Sequence, residues 1–107
     1  MTRVIYIFTY GSLQEEEIQS ALYGRNLKGK SDCLLGYALL EQKVFDQYPV
    51  IHPSLSKTDI ICGMVYEISE KELLITDVYE GDSYKRIEVA LQSGKIAWVY
   101  TRTLPIN

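Results

Sequence analysis

The chain has 107 residues, which predicts a single domain over residues 1–107. Hydrophobic residues make up 47% of the chain and charged residues 23%, a composition that excludes a disordered or fibrous protein. The 11 basic and 14 acidic residues are scattered and give a net charge of -3, so neither nucleic acid nor a membrane surface is an expected partner. The apolar run Val4–Phe8 is too short for a membrane span or a signal peptide, which predicts a protein that is not exported.

Two cysteines and a single histidine limit the chemistry of any site. Cys33 and Cys62 are far apart, form no CxxC motif and have apolar neighbours, which favours reduced core thiols in a cytoplasmic protein over a disulfide. Neither cysteine has a cation or a histidine beside it in sequence, so we expect no catalytic thiolate. His52, between Ile51 and Pro53, is more typical of an edge residue than of a base or a ligand. The sequence therefore predicts no metal site and no cofactor.

A buried strand and a helix are expected at the N-terminus. Residues 3–9 are nearly all β-branched or aromatic, which predicts a strand buried on both faces. Ser12 and Glu15 have the spacing of a capping box and predict a helix over residues 13–23, with Gly24 as its C-terminal stop. The apolar face of this helix would consist of Ile18, Ala21 and Leu22.

Three segments in the middle of the chain predict strands. Residues 32–41 form a short, nearly continuous apolar run whose Gly36 disfavours a helix. Residues 44–53 are proline-edged and predict a peripheral strand or an ordered loop. Residues 60–68 have apolar side chains on both alternating faces, which predicts a strand covered on both sides.

A second capping box, formed by Ser69 and Glu72, predicts a helix that runs to Glu80 and ends at Gly81. At about 100° per residue, the apolar side chains of this helix occupy one arc. The residues predicted for the core-facing arc are Leu73, Leu74, Ile75, Val78 and Tyr79. Asp77 lies at the edge of the arc, where its ordinary role is that of a structural hydrogen-bond acceptor.

Residues 84–91 and 96–102 are expected to form a closing hairpin through a turn at Ser93 and Gly94. The order of elements is then strand, helix, several strands, helix, strand, strand, without an internal repeat. This order predicts an α+β domain with two main flanking helices. Because several strands are apolar on both sides, we expect its small mixed, mostly antiparallel sheet to curl into a β-barrel.

Glu80 is the first candidate for a functional residue. It stands in the last turn of its predicted helix, where the negative end of the helix dipole disfavours a carboxylate. The strand that follows places Tyr84, Arg86 and Glu88 on one face, so a polar surface begins beside Glu80. The ordinary alternatives are a solvated glutamate and a solvent-facing strand. Arg86 either contacts a substrate or pairs with Glu88 or another carboxylate.

The turn Tyr10–Leu13 is the second candidate. It lies between a predicted buried strand and a helix start, where unpaired backbone N–H groups can bind a carboxylate, a phosphate or an oxyanion. The run Glu15–Glu17 weighs against a highly charged anion because it repels one and competes for the same donors. A simple strand-to-helix turn is the alternative.

Four motifs connect these candidates, and they occur in a fixed order along nearly the whole chain. They are YGSL at residues 10–13, YP at 48–49, GMVYE at 63–67 and DVYEGDSYKR at 77–86. Through this ordered set the chain resembles the gamma-glutamylcyclotransferase-like family, the avirulence-induced-gene-like group. The resemblance implies a small mixed β-barrel with flanking helices, and a cavity where the first loop meets the end of the second helix.

The resemblance also implies the roles of individual residues. Glu80 matches the acid-base residue of the family, and Tyr84 matches a tyrosine beside the site. The loop that matches Tyr10, Gly11, Ser12 and Leu13 holds the γ-glutamyl part of the substrate through its backbone amides.

The implied activity is a cyclotransferase reaction, an acyl-transfer or lyase-type cyclisation that releases 5-oxoproline from a small γ-glutamyl compound. The α-amine of such a substrate attacks its own side-chain carbonyl, so no serine, cysteine or histidine nucleophile is needed. One alternative is a binding module of the same fold that recognises a γ-glutamyl or related carboxylate metabolite without turnover. Another is a structural or partner-binding domain, which would neither bind nor convert such compounds. The leaving group and the oligomeric state stay open at this point.

Overall fold

The computed structural model describes residues 4–39, 51–54, 58–82 and 84–102. The strands are β1 (Ile5–Thr9), β2 (Gly29–Leu35), β3 (Tyr37–Leu39), β4 (Ile51–Pro53), β5 (Ile60–Ile68), β6 (Tyr84–Ala90) and β7 (Ile96–Arg102). The helices are α1 (Glu16–Tyr23) and α2 (Glu70–Glu80), and a short 3-10 helix covers Ser12–Gln14. Neither α1 nor α2 is long and apolar enough to cross a membrane.

The main sheet has five strands in the order β2-β5-β1-β7-β6. β1 runs antiparallel to β5 and parallel to β7, and the outer pairs β2–β5 and β6–β7 are antiparallel. The mixed, mostly antiparallel sheet and its two helices confirm the predicted α+β class. The predicted closure into a barrel is wrong, because among the described residues β2 and β6 are the two edges of an open sheet.

One predicted strand is divided in the structure. The apolar run predicted over residues 32–41 divides at Gly36, which has a φ of 81° and turns the chain away from the main sheet. The next residues form β3, which pairs with β4 in a separate two-stranded sheet instead of continuing β2. Residues 44–50 of the segment predicted as a peripheral strand or loop lie outside the described residues, and Ile51–Pro53 form β4.

The first capping box is not formed. Ser12 begins the 3-10 helix, and α1 starts at Glu16 after Glu15, whose extended backbone carries no side-chain cap. The Ser12 hydroxyl instead shares a hydrogen bond of 2.8 Å with the Tyr79 hydroxyl on α2. A partner 67 residues away has therefore replaced the local one. The predicted stop is confirmed, since Gly24 is left-handed with a φ of 71°.

The buried side chain of α1 is a polar one, Gln19, rather than the predicted apolar face. Its amide nitrogen donates to the Leu13 carbonyl at 2.8 Å, and its amide oxygen accepts from the Leu27 backbone at 2.8 Å. Both ends of the amide are thereby satisfied inside the protein, as a buried polar group requires. Gln19 therefore ties the 3-10 helix to the segment that enters β2.

The capping box of α2 is confirmed in full. The Glu72 backbone donates to the Ser69 hydroxyl at 3.1 Å, and the Ser69 backbone donates to the Glu72 carboxylate at 2.9 Å. Arg25 also binds this carboxylate through two nitrogens and holds its pKa below the usual range. The helix ends at Gly81, whose N–H donates to the Asp77 carbonyl, as predicted.

The predicted core arc of α2 is wrong at two positions. Leu73 is buried, but Leu74 is 56% exposed and Val78 is 82% exposed. Thr76 is fully buried in their place, because its hydroxyl donates to the Glu72 carbonyl and pairs with the Tyr23 hydroxyl of α1. The polar contact with α1 thus sets the rotation of α2 about its own axis.

The apolar core lies on both faces of the main sheet. Phe8 belongs to the cluster between this sheet and β4, and its neighbour Ile7 belongs to the cluster that includes Leu73 of α2. This alternation confirms that β1 is covered on both sides. β5 approaches β1 so closely that a β-carbon at Gly63 would overlap the carbonyl oxygen of Thr9.

The structure contradicts the prediction of two reduced core thiols. Cys33 and Cys62 are direct register partners on the antiparallel pair β2–β5, and a disulfide joins them. Cys62 is exposed and Cys33 is half-buried, so neither sulfur belongs to the core. The argument for a cytoplasmic protein from free thiols therefore no longer stands.

Candidate functional site

A cavity of about 100 Å³ opens where the C-terminal end of β1 meets the C-terminal end of α2. Its lining consists of Phe8, Thr9, Tyr10, Gly11, Ser12, Leu13, Tyr79, Glu80, Tyr84 and Tyr100. All six residues singled out in the sequence are in this set: Tyr10, Gly11, Ser12, Leu13, Glu80 and Tyr84. The two candidate segments, about seventy residues apart in sequence, thus line one hollow, which we name the candidate cavity.

Glu80 is the carboxylate of the candidate cavity. It is half-buried at the last residue of α2, and burial raises its pKa to about 7. A carboxyl group with a pKa near neutrality exchanges its proton readily under physiological conditions, as a general acid-base residue must.

Tyrosines form much of the wall around this carboxyl group. The Tyr10 hydroxyl donates to the Tyr100 carbonyl at 2.9 Å, which fixes the end of β1 against β7. Burial raises the pKa of Tyr10 above its usual value, and the negative charge of Glu80 adds to the increase. Burial and the hydrogen bond to Asp77 also raise the pKa of Tyr100. Both phenols are therefore neutral at pH 7, and they supply no competing base.

Two side-chain hydrogen bonds hold the loop of the candidate cavity. Ser12 is bonded to Tyr79 of α2, and the Leu13 carbonyl accepts from Gln19 of α1. Loop amides held in place in this way can donate to a ligand without first being ordered.

Asp77 and Arg86, whose roles the sequence left open, form an ion pair beside the candidate cavity. The Arg86 Nε donates to the two carboxylate oxygens of Asp77 at 2.9 and 3.2 Å. The Tyr100 hydroxyl donates to the same carboxylate at 2.7 Å. The Arg86 guanidinium also lies 4.4 Å from the centre of the Trp98 ring. This network joins α2 to β6 and β7 one turn before Glu80.

Sequence reasoning missed four residues of the lining: Phe8, Thr9, Tyr79 and Tyr100. Phe8 and Thr9 directly precede the YGSL motif, and Tyr79 directly precedes Glu80, so proximity in sequence was the available signal. Tyr100 has no such signal, because β7 reaches the site only through its parallel pairing with β1.

Thr9 contributes a buried hydroxyl group to the lining of the candidate cavity. Its side chain is 4% exposed, and its hydroxyl oxygen has no hydrogen-bond partner within the described residues. A buried hydroxyl without a partner costs about 1–3 kcal/mol, so we expect Thr9→Val to raise the free energy of unfolding by about 1 kcal/mol. Urea denaturation monitored by circular dichroism measures the change.

The matched control for this variant is Thr76→Val. The Thr76 hydroxyl is fully buried but bonded to the Glu72 carbonyl and to Tyr23, so the same substitution should lower the free energy of unfolding by about 1 kcal/mol. Equal losses of stability in both variants would contradict the assignment of Thr9 as an unpaired hydroxyl.

Comparisons with known proteins place this fold in a family. The family described as "Gamma-glutamyl cyclotransferase, AIG2-like" matches residues 7–105. A protein of Methanocaldococcus jannaschii, named as a candidate gamma-glutamylcyclotransferase, is 36% identical over 103 residues, which cover 89% of this chain and 82% of that protein.

Solved structures support the same fold. The solution structure of an Arabidopsis thaliana protein superposes with a TM-score of 0.77 at 25% identity, over 92% of this chain and 68% of that one. A structure named "Gamma-glutamyl cyclotransferase" superposes with a TM-score of 0.74 at 20% identity, over 94% of this chain and 68% of that one. The match over residues 7–105 shows that this chain belongs to the gamma-glutamyl cyclotransferase, AIG2-like family.

Proposed function

We propose that this protein is a gamma-glutamyl cyclotransferase that releases 5-oxoproline from a small γ-glutamyl compound. The observation that carries the proposal is the position of Glu80, a carboxyl group with its pKa raised to about 7, in the same cavity as the YGSL loop. Family membership and the name of the Methanocaldococcus relative support the same activity.

In the proposed reaction, the substrate supplies its own nucleophile. Its α-amine attacks the carbonyl carbon of its side-chain amide, a carbon–nitrogen bond forms, and a five-membered ring closes. The bond from that carbon to the leaving nitrogen then breaks. Ring closure needs the bound substrate to be folded with the two reacting atoms close together, which a small cavity favours.

Glu80 is the proposed acid-base residue of this reaction. Its ionised carboxylate takes a proton from the attacking α-amine and then gives that proton to the departing nitrogen, which leaves as a neutral amine. One carboxyl group can carry out both transfers because its pKa lies near the working pH. It begins and ends the cycle ionised, so the proton balance is complete.

The loop residues and Tyr84 have the proposed role of binding the γ-glutamyl part. Backbone N–H groups of Gly11, Ser12 and Leu13 are candidates to donate to its α-carboxylate or to the oxyanion of the tetrahedral intermediate. Tyr10 forms the wall beside this loop, and Tyr84 forms the wall at the start of β6.

A substrate panel tests the proposal. γ-Glutamyl amines, γ-glutamyl amino acids and glutathione are assayed for release of 5-oxoproline, and binding is measured in parallel by calorimetry. Release from at least one compound supports the enzyme. Binding without release would favour the non-catalytic module of the same fold, and neither binding nor release would contradict both.

The pH dependence of the reaction follows from the raised pKa of Glu80. The general base must be ionised, and a carboxyl group with a pKa of about 7 is protonated below that pH. We therefore expect a limb with a pKa near 7 on the acid side of the kcat/KM profile, beside the limb that the substrate's own α-ammonium adds at about pH 8, because only the neutral amine attacks. Steady-state kinetics between pH 5 and 9 measures the profile, and an acid limb near pH 4.5 would contradict the assignment.

A further inference from the structure

A shallow groove adjoins the candidate cavity, and the two hollows share Tyr84 and Tyr100 as walls. The rest of the groove is lined by Asp77, Gly81, Asp82, Lys85, Arg86 and Trp98. None of these six residues lines the candidate cavity. We name this surface the Arg86 groove.

The size of the candidate cavity requires a second place for part of the substrate. Sites that bury most of a drug-sized ligand usually measure about 300–1,000 Å³. The candidate cavity has only about 100 Å³, so it can take the compact glutamyl part but not a large leaving part as well. A substrate seated on Glu80 must therefore extend out of the cavity, and the Arg86 groove begins at the walls that both hollows share.

Arg86 gives the groove a group that binds carboxylates. Its Nε is bonded to Asp77, which fixes the guanidinium, while within the described residues its two terminal Nη atoms have no hydrogen-bond partner. A guanidinium held in this way binds a carboxylate through two parallel hydrogen bonds. The contact with Trp98 holds the guanidinium from a second side.

The groove contains two acidic and two basic side chains. The Asp77 carboxylate is already bonded to Arg86 and to Tyr100, and Lys85 adds an exposed positive charge. Asp82 is the other acidic residue of the lining. Trp98 packs against the core cluster below and carries the Arg86 guanidinium on its ring.

We propose that the Arg86 groove binds the leaving part of the substrate and selects leaving amines that carry a carboxylate, with Arg86 as the carboxylate ligand. This inference rests on the proposed cyclotransferase function, because it names the substrate class of the same site. Arg86 is then a specificity-determining residue that touches the substrate, while Asp77 positions it.

The test compares two substrates that differ only in the carboxylate, γ-glutamylalanine and γ-glutamylalaninamide. We expect the wild-type protein to release 5-oxoproline from the acid with a kcat/KM at least about 10-fold higher, mainly through a lower KM, since a charge-assisted pair of hydrogen bonds is lost with the amide. In Arg86→Met this preference should fall to about 2- to 3-fold, the share that the remaining Lys85 charge supplies.

Two further variants keep the test decisive. Lys85 is exposed, so Lys85→Met should fold normally and lower the preference by about 2- to 3-fold, the amount expected for one partly screened charge. Lys30, exposed on β2 and outside the groove, is the matched control, and Lys30→Met should keep the wild-type preference. If Arg86→Met does not fold, the wild-type ratio and Lys85→Met still decide the question.

The outcomes separate this inference from the proposed function. Equal kcat/KM values for the acid and the amide in the wild-type protein would overturn the inference and leave the cyclotransferase intact. An acid preference that keeps its wild-type value in folded Arg86→Met would also overturn it. If no compound releases 5-oxoproline, the proposed function falls, and the assignment of a leaving-group site falls with it.

Discussion

Replacing Glu80 with Gln is expected to lower kcat for 5-oxoproline release by about 10²- to 10⁴-fold, the usual contribution of a general acid-base group. Glutamine has nearly the same size as glutamate and keeps hydrogen-bonding atoms in the candidate cavity, but at neutral pH it can neither accept the proton of the α-amine nor deliver one. KM should change by only a few-fold, because the loop and the cavity walls remain. Initial rates of 5-oxoproline formation at saturating substrate measure the effect.

The matched control for this variant is Glu88→Gln. Glu88 is also a glutamate near the site in sequence, but it is exposed on β6 and lines neither hollow. Its replacement should leave kcat within a factor of about two. A Glu80→Gln protein that binds a γ-glutamyl amine and turns it over at the wild-type rate would show that another group carries the proton.

The burial of Glu80 has a consequence for stability as well as for catalysis. A carboxyl group whose pKa rises from an ordinary value to about 7 binds a proton more tightly in the folded protein, so its ionisation opposes folding as the pH rises through that range. Glu80 also lies at the helix end that disfavours negative charge. The burial of the carboxylate and its position at the helix end both lower the stability of the folded protein. Such destabilising positions are typical of functional sites.

Local signals in the sequence predicted the elements that depend on neighbouring residues. The box of Ser69 and Glu72 involves residues three positions apart, and the structure forms both of its hydrogen bonds. Gly24 ends α1, and Gly94 lies in the turn between β6 and β7, both with positive φ angles. Such features need no information about the rest of the fold, so the sequence alone was sufficient for them.

The predictions that failed depended on partners distant in sequence. Ser12 was expected to cap α1, but its hydroxyl is hydrogen-bonded to Tyr79, which is 67 positions away. Thr76 displaced the expected apolar arc of α2 because Tyr23, 53 positions away, bonds to it. An argument from helical periodicity assumes that apolar residues are buried and polar residues are exposed. In the folded protein, the buried face of a helix is the one on which both the apolar contacts and the hydrogen bonds are satisfied.

The candidate cavity was foreseen mainly through the order of the motifs. Strand and helix patterns give no distance between the YGSL loop and Glu80, and only the family resemblance brought these two segments together. Tyr100 could not have been found in this way, because it lies outside all four motifs. Its place in the lining depends on the parallel pairing of β1 with β7, a long-range contact that local patterns do not encode.

The second large effect is expected from the disulfide that joins Cys33 to Cys62. The bond closes a loop with a sequence separation of 29, and it ties the edge strand β2 to its only neighbour in the described part of the sheet, β5. On the chain-entropy account, closing a loop of this length stabilises the folded state by about 3.5 kcal/mol. We therefore expect the double variant Cys33→Ser, Cys62→Ser to lose about that free energy of unfolding.

Urea denaturation of the oxidised wild type, the reduced wild type and the double variant tests this expectation. Reduction should lower the midpoint of the wild type toward that of the double variant, and a reductant should leave the double variant unchanged. Equal midpoints with and without reductant in the wild type would mean that the cross-link contributes nothing to stability. Because reduction removes a constraint on the unfolded chain and leaves the pairing of β2 with β5 available, the reduced protein should still fold, with the same sheet but a smaller margin of stability.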